Sequence, residues 1–487
     1  MNRRMIFYTV GHIAMAESAL LLLPSLVALI YLEKSGISFL ITAALALGVG
    51  MLFRVFSKPK SRLIYAREGF AIVAYAWLLM SAIGAVPFVL GGAIPSYIDA
   101  FFETVSGFTT TGASILTDVE ALDRCMLFWR SFTHWVGGMG IIVLVTAILP
   151  NIADRSLNVL KAEMPGPTVG KLVPRSRDTA KILYWIYLGL TAILFVLLVS
   201  GGMPVFDSII HALGTAGTGG FGIKADSIGS YSPYLQWVIT VFMLVFAINF
   251  NLYYLLLVRK FRAALGSDEL WFFAGLVLFC IAGITVSILP LYPTFSEALR
   301  HAAFQASSIV STTGFATADF NIWPNFAKSL LLLLMVIGGC AGSTAGGFKM
   351  IRVVILIKSV RRELKKLLHP RSVKAVMSEG KRLDDTTLTG VTSYFAAYIF
   401  CIVIIYILLS FEPFDFETNF TAALTCFNNV GPGFGAVGPA SSFACYSDGA
   451  TILLSFAMLL GRLEVFPLLL GLNPLIWKNQ KTRRPKL

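Results

Sequence analysis

Charge is what this chain has least of. Only 13% of its 487 residues are Asp, Glu, Lys or Arg, against roughly a quarter in soluble globular domains. With 56% hydrophobic residues and a mean hydropathy of +0.77, a water-soluble fold is excluded and a polytopic membrane protein is expected. Cysteine is scarce and scattered: Cys125, Cys280, Cys340, Cys401, Cys426 and Cys445 form neither a CxxC pair nor a cluster with histidine. That removes structural zinc and dithiol redox chemistry. The apolar spans hold no paired carboxylates, no metal cluster and no Ser/His/Asp set in register, so no enzyme is expected. No glycine-rich run ends in GK[ST]. Gly433-Phe-Gly435-Ala-Val-Gly438 matches GxGxxG, but it neither follows a strand nor opens a soluble helix, which excludes a dinucleotide site. No cofactor is expected in this chain.

Net charge is +13, yet the basic residues sit in loops between apolar spans. They are topology signals rather than a nucleic-acid surface, and no nucleic-acid partner is expected. The opening apolar run, Tyr8 to about Leu32, is too long for a signal-peptide core and lacks a small-residue cleavage site, so it reads as a retained spanning helix.

What is present is one fifteen-residue element in four degraded copies. Asp99–Ala113 reads DAFFETVSGFTTTGA, Asp207–Phe221 DSIIHALGTAGTGGF, His301–Phe315 HAAFQASSIVSTTGF, and Thr418–Pro432 TNFTAALTCFNNVGP. Aligned without gaps, each has a glycine at one place: Gly112, Gly220, Gly314 and Gly431. Two residues earlier stands a small polar residue (Thr110, Thr218, Thr312, Asn429), and six earlier a Ser, Gly or Thr (Ser106, Gly214, Ser308, Thr425). A single copy is an ordinary helix end. Four copies between long apolar spans indicate a pseudo-fourfold object built from one chain.

Around each copy the pattern is a long span, a short amphipathic half-helix and a second long span. The expected segments are 69–91, 97–108 and 126–149; 182–200, 204–216 and 234–258; 269–290, 295–310 and 326–357; 389–410, 414–427 and 449–472. Two extra helices, 8–32 and 37–56, precede them. The expected fold is therefore all-α and polytopic, with ten full spans and four half-spans. Its divisions are 1–68 for the leading pair, then 69–160, 161–262, 263–382 and 383–487 for the four repeats. Alternation from a cytoplasmic N-terminus puts Lys58, Lys60, Arg62, Arg67, the 151–181 loop, the 259–268 loop, the basic 358–382 segment and the Lys478–Lys486 tail on one side, as the positive-inside rule requires. Both termini are then cytoplasmic and the glycine turns face outward.

Non-helical backbone at membrane depth survives only where protein or a wet cavity surrounds it. Four turns meeting on one axis would offer rings of carbonyl oxygens that replace the hydration shell of a monovalent cation. The half-helices would aim their negative C-terminal ends at it. A second unusual stretch, Gly338-Gly-Cys-Ala-Gly-Ser-Thr-Ala-Gly-Gly347 followed by Lys349, puts five glycines inside an apolar span and should break it into a loop beneath those turns. Close packing of helices through small residues is its other reading. Arg462 and Glu464 are charges inside the last span, where charge is costly. They stand two residues apart and so do not face each other on a helix. Glu103, His211 and Gln305, with Ala422 in the fourth copy, hold equivalent places on the half-helices and are expected to brace the turns from behind. His12, His134, His301 and His369 read as structural or interfacial.

These residues resemble the TrkH-type branch of the TrkH/KtrB/HKT superfamily of potassium-uptake proteins, over essentially the whole chain. The resemblance implies four channel-like repeats around one pore in the bacterial inner membrane, with K+ as the transported ion. It carries over as filter positions Thr109, Thr110, Thr111 and Gly112; Thr218, Gly219 and Gly220; Ser311, Thr312, Thr313 and Gly314; and Asn428, Asn429, Val430 and Gly431. It implies a gate at Gly338, Gly339, Gly342, Ser343, Thr344, Gly346 and Gly347, with Arg462 as an electrostatic barrier in the pore and Lys349 as a second positive charge or an interfacial one. It also implies a homodimer and a cytosolic ring of TrkA-type nucleotide-binding subunits, while the basic 358–382 segment suits membrane lipid or a docked partner. Each turn has one common glycine where highly selective potassium channels carry TVGYG, so moderate selectivity is expected. An obligate sodium- or proton-driven symporter is the competing expectation.

Overall fold

A computed structural model describes residues 2–59, 66–140, 176–370, 375–378 and 381–473. Among them the chain is helical apart from one two-stranded antiparallel hairpin, Met377–Ser378 against Lys381–Arg382. The leading pair comes first: Arg3–Leu20 continued by Leu22–Tyr31, then Gly36–Phe56 folding back on it. Pro24 cannot donate to the carbonyl of Leu20, which places the interruption there. The two arms cross through glycine. A Cβ on Gly11 would lie 2.9 Å from the Gly50 carbonyl oxygen, and one on Gly50 2.7 Å from that of Gly11, the close approach that small residues allow between membrane helices.

Four units follow, each opening on a long span: Ala66–Leu90, Ser176–Ser200, Asp268–Ile288 and Asp385–Leu409. Each then dips into a half-helix: Tyr97–Phe108, Val205–Gly217, Phe295–Val310 and Phe416–Asn428. Ser96, Thr294 and Asp415 cap three of these half-helices, each side chain accepting the backbone N–H three residues on. At 12 to 16 residues they extend about 18–24 Å, short of the ~30 Å hydrocarbon core.

The second helices depart from the ten straight spans expected. Among the described residues six helices are long and apolar enough to cross a membrane, and two more candidates are bent pairs. In unit two, Pro233–Ala247 meets Phe250–Leu257 at 92°. Ile248 is extended there, and the Asn249 side chain accepts the Asn251 N–H and starts a new helix. In unit four, Asp448–Arg462 meets Phe466–Leu472 at 117°, across Glu464 and Val465 with φ of 56° and 53°. Pro467, within the first turn of the new helix, cannot continue the old one. In unit three, Asn325–Ile337 and Met350–Leu368 are separated by the glycine loop. In unit one, the second helix is Arg124–Gly138. Met139 caps that helix, and residues 141–149 of the expected 126–149 span lie outside the described residues, as do most of the 151–181 loop and the basic tail.

Candidate functional site: four turns and a buried loop

All four half-helices end in the same backbone motif. The N–H of Thr111, Gly219, Thr313 and Val430 reaches back to the carbonyl of Ser106, Gly214, Ser308 and Thr425, at 2.8–3.0 Å. Between them Thr110, Thr218, Thr312 and Asn429 take left-handed φ of 54–56°. This is the Schellman arrangement, and it accounts for the Ser, Gly or Thr six residues before each common glycine: that residue supplies the accepting carbonyl. The glycines themselves, Gly112, Gly220, Gly314 and Gly431, have φ of 79°, 81°, 84° and 99°, a region L side chains rarely enter.

Contacts between the turns close into a ring. A Cβ on Gly112 would lie 2.1 Å from the carbonyl oxygen of Gly219, one on Gly220 2.0 Å from that of Thr313, one on Gly314 2.4 Å from that of Val430, and one on Gly431 2.7 Å from that of Thr111. Unit one thus meets two, two meets three, three meets four, and four meets one. All four glycines also line a single cavity of about 350 Å³.

Side chains brace this ring differently in each unit. Thr109 and Thr111 pair their hydroxyls at 2.7 Å, and so do Ser311 and Thr313. Asn428 accepts from the Tyr398 hydroxyl at 2.9 Å, while Asn429 donates to Thr111 Oγ1 at 3.0 Å and to the Met458 carbonyl at 2.9 Å. The turn of unit two relies on His134, which the sequence marked only as structural or interfacial. Its Nδ1 donates to the Gly107 carbonyl at 2.7 Å and its Nε2 accepts from the Phe221 N–H at 3.3 Å. Its ring fills the place a Gly219 side chain would take.

The expected braces on the half-helices act one step further along the chain. Glu103 accepts from the Ile115 N–H at 2.9 Å and from Ser114, and forms a buried ion pair with Arg130 at 2.7 Å. Gln305 donates to the Ala318 carbonyl at 3.2 Å. His211 lies 3.4 Å from the Tyr231 hydroxyl, which donates to Asp207. Ala422 has no polar group, and its neighbour Thr421 serves instead, accepting from the Phe434 N–H at 2.9 Å. These bonds fix the segments leaving the turns rather than the turns themselves.

The glycine-rich stretch is a loop packed inside the protein. Gly338, Gly342, Gly347 and Lys349 all have positive φ, between 69° and 81°. On one side the loop seals the bend of unit two: the Cys340 N–H donates to the Ala247 carbonyl at 2.9 Å, and the Phe250 N–H donates to that of Gly342 at 3.0 Å. On the other side it touches the turns: the Gly346 N–H donates to Thr312 Oγ1 at 2.6 Å and the Gly347 N–H to the Asn428 carbonyl at 2.9 Å. A Cβ on Gly346 would sit 2.4 Å from that same carbonyl, and one on Gly339 2.6 Å from Ala345 Cβ. Ser343 closes a local bond to the Cys340 carbonyl at 2.6 Å, and Thr344 is fully buried.

Arg462 reaches the loop from the last unit. Its guanidinium donates to the carbonyls of Thr344 at 2.8 Å, Gly137 at 2.6 Å and Gly138 at 2.9 Å, so it joins unit four, the loop and unit one. It does not pair with Glu464, which instead meets Arg352 at 2.5 Å; Arg352 also stacks over the Tyr394 ring. Lys349 does not reach the interface. It is 3% exposed and its ammonium turns back onto the Ala345 carbonyl. Glu269, Arg130, Arg352 and the glycines Gly137 and Gly461 were not expected from sequence. The last two press against the carbonyl oxygens of Phe108 and Phe427, where a Cβ would approach to 1.8 Å in each case.

Known proteins resemble this chain from end to end. The family model of TrkH, described as a cation transport protein, matches residues 36–475. The "Trk system potassium uptake protein TrkH" of Escherichia coli K12 is 37% identical, over 98% of this chain and all of its own; the TrkG protein of the same strain is 37% identical, over 98% and 99%. The crystal structure of the potassium transporter TrkH from Vibrio parahaemolyticus superposes with a TM-score of 0.88 at 35% identity, covering 98% of this chain and all of that one. A family match across most of the length, relatives above 30% identity end to end, and a shared all-helical membrane fold give one conclusion: the chain is a polytopic membrane protein of the TrkH family of cation transport proteins.

Proposed function

We propose that this protein takes up potassium across the bacterial inner membrane through a single gated, channel-like pore. The four turns Thr109–Gly112, Thr218–Gly220, Ser311–Gly314 and Asn428–Gly431 form its filter. The cyclic order of contacts among the turns carries this reading, because backbone oxygens in a ring can stand in for the hydration shell of a monovalent cation. The relatives named above as potassium uptake proteins support K+ as the ion. With one common glycine per turn, fewer carbonyl rings form than in TVGYG filters, and discrimination against sodium is moderate.

The 338–347 loop and Arg462 form the gate. A guanidinium beside the conduction path raises the energy of any passing cation, and the loop's packing against the turns of units three and four supports its lying across that path. Lys349 adds a second buried positive charge there. The repeats divide at 69–160, 161–262, 263–382 and 383–487 after an N-terminal pair, 1–68. Basic loops favour cytoplasmic termini. The working assembly is a homodimer docked on a cytosolic TrkA-type nucleotide-binding ring, with inner-leaflet lipid along the basic 358–382 segment.

Rubidium-86 uptake into proteoliposomes holding only this chain tests the proposal, with an outward potassium gradient and neither sodium nor proton gradient. Accumulation competed by potassium more than by sodium is expected. Uptake that waits for a sodium or proton gradient would instead make the protein a symporter and the turns a binding site.

A further inference from the structure

Glu269 opens the first span of unit three and is 3% exposed. One of its carboxylate oxygens, Oε1, accepts two backbone N–H groups, Ala341 at 2.7 Å and Ile351 at 3.0 Å. Ala341 lies on the arm of the glycine loop that enters the protein, and Ile351 on the arm that leaves it. The two arms are therefore stapled by one buried charge, through bonds about twice as strong as neutral ones. The neighbouring residue extends the same attachment outward. Asp268 pairs with Lys358 at 2.5 Å, and Lys358 also donates to the Met377 carbonyl at 3.0 Å, so the helix that carries the loop away is held where it becomes exposed.

We propose that Glu269 is the positioning residue that keeps the loop closed. Neither arm can swing away without leaving a buried N–H short of its charged partner, which is costly. Asp268 and Lys358 form the outer half of this clasp. A pull on the Met350–Leu368 helix from the cytoplasmic side reaches the loop through two adjacent acidic residues. The inference rests on the loop being the gate and adds the device that holds it.

The test is rubidium-86 uptake by proteoliposomes of the full chain without any partner, with thermal unfolding midpoints measured on the same preparations. Glu269→Ala is expected to raise uptake at least tenfold, since two charge-assisted bonds are lost and one alone is worth about that factor. Glu269→Gln keeps an oxygen that can accept both N–H groups but not the charge that strengthens them, and should leave uptake between the parental value and that of Glu269→Ala. A purely structural role would lower the midpoint without separating Ala from Gln in uptake. Where Glu269→Ala does not fold, Glu269→Asp carries the test: it keeps the charge, shortens the reach by one methylene and should raise uptake. Parental uptake in folded Ala or Asp variants, or equal leakage in Ala and Gln, would overturn the clasp. Arg462→Ala and a shortened 338–347 loop are measured alongside. If both raise uptake while Glu269→Ala does not, the clasp fails and the gate stands; if neither does, the gate itself fails.

Discussion

The turns of units one and three and those of units two and four share a backbone and differ in almost everything that holds it. In one and three a hydroxyl pair spans the left-handed residue, Thr109 to Thr111 and Ser311 to Thr313, each at 2.7 Å. Unit two has glycine where that second hydroxyl would be, and a histidine from unit one fills the space. Unit four uses two asparagines that reach outward, to Tyr398, Thr111 and Met458. What recurs is the left-handed residue, the reaching N–H and the glycine. The side chains are interchangeable as long as each turn finds a brace, so the repeated property is a backbone path and the degraded sequence follows from it.

Glycine substitutions should break that sameness most. Gly220→Ser and Gly112→Ser impose a side chain on positive φ, at roughly 1–2 kcal/mol, and drive it onto a neighbouring carbonyl at 2.0 and 2.1 Å. We expect at least tenfold loss of preference for potassium over sodium in competition uptake; preserved preference in both would take the filter out of these turns. Gly431→Ser, with 2.7 Å of clearance, should lose less. Arg462→Ala should raise partner-free rubidium flux several-fold while leaving selectivity alone, which separates the ring from the loop.

Smaller effects sharpen the contrast between braces. His134→Ala leaves the Phe221 N–H unpaired in a buried place, at about 1–3 kcal/mol, and takes one donor from the Gly107 carbonyl, which keeps the Thr110 N–H. It should lower the unfolding midpoint and reduce selectivity by about threefold to tenfold. Ser311→Ala removes two neutral hydroxyl bonds, to Thr313 Oγ1 at 2.7 Å and to the Ser308 carbonyl at 3.2 Å, each worth about 1 kcal/mol, and should change selectivity by less than about threefold. Equal effects from His134→Ala and Ser311→Ala would contradict the idea that unit two depends on a borrowed side chain.

Much of this was legible in the chain. The half-helices 97–108 and 295–310 lie where composition and the repeat put them, because their amphipathic pattern and terminal glycine act locally. The bends at Asn249 and Glu464–Val465 were not, although Pro467 signalled the second. An apolar run hides a break whose cause is a single cap or a strained pair. Glu269 and the brace that His134 supplies were missed for another reason: their partners, the pair Ala341 and Ile351 and Phe221, lie 72 to 87 residues away. Only the folded chain brings them together. Arg462 stood out by its charge alone, but its carbonyl partners in units one and three did not.

The central claim is that the four turns form one cation-selective ring. Crystals of the full chain grown in rubidium, with anomalous diffraction collected at the rubidium edge, test it most directly. The account predicts anomalous density on the axis between Gly112, Gly220, Gly314 and Gly431, lost on replacement by sodium and weakened in Gly112→Ser. Rubidium density elsewhere in the protein, with none among the four turns, would contradict it.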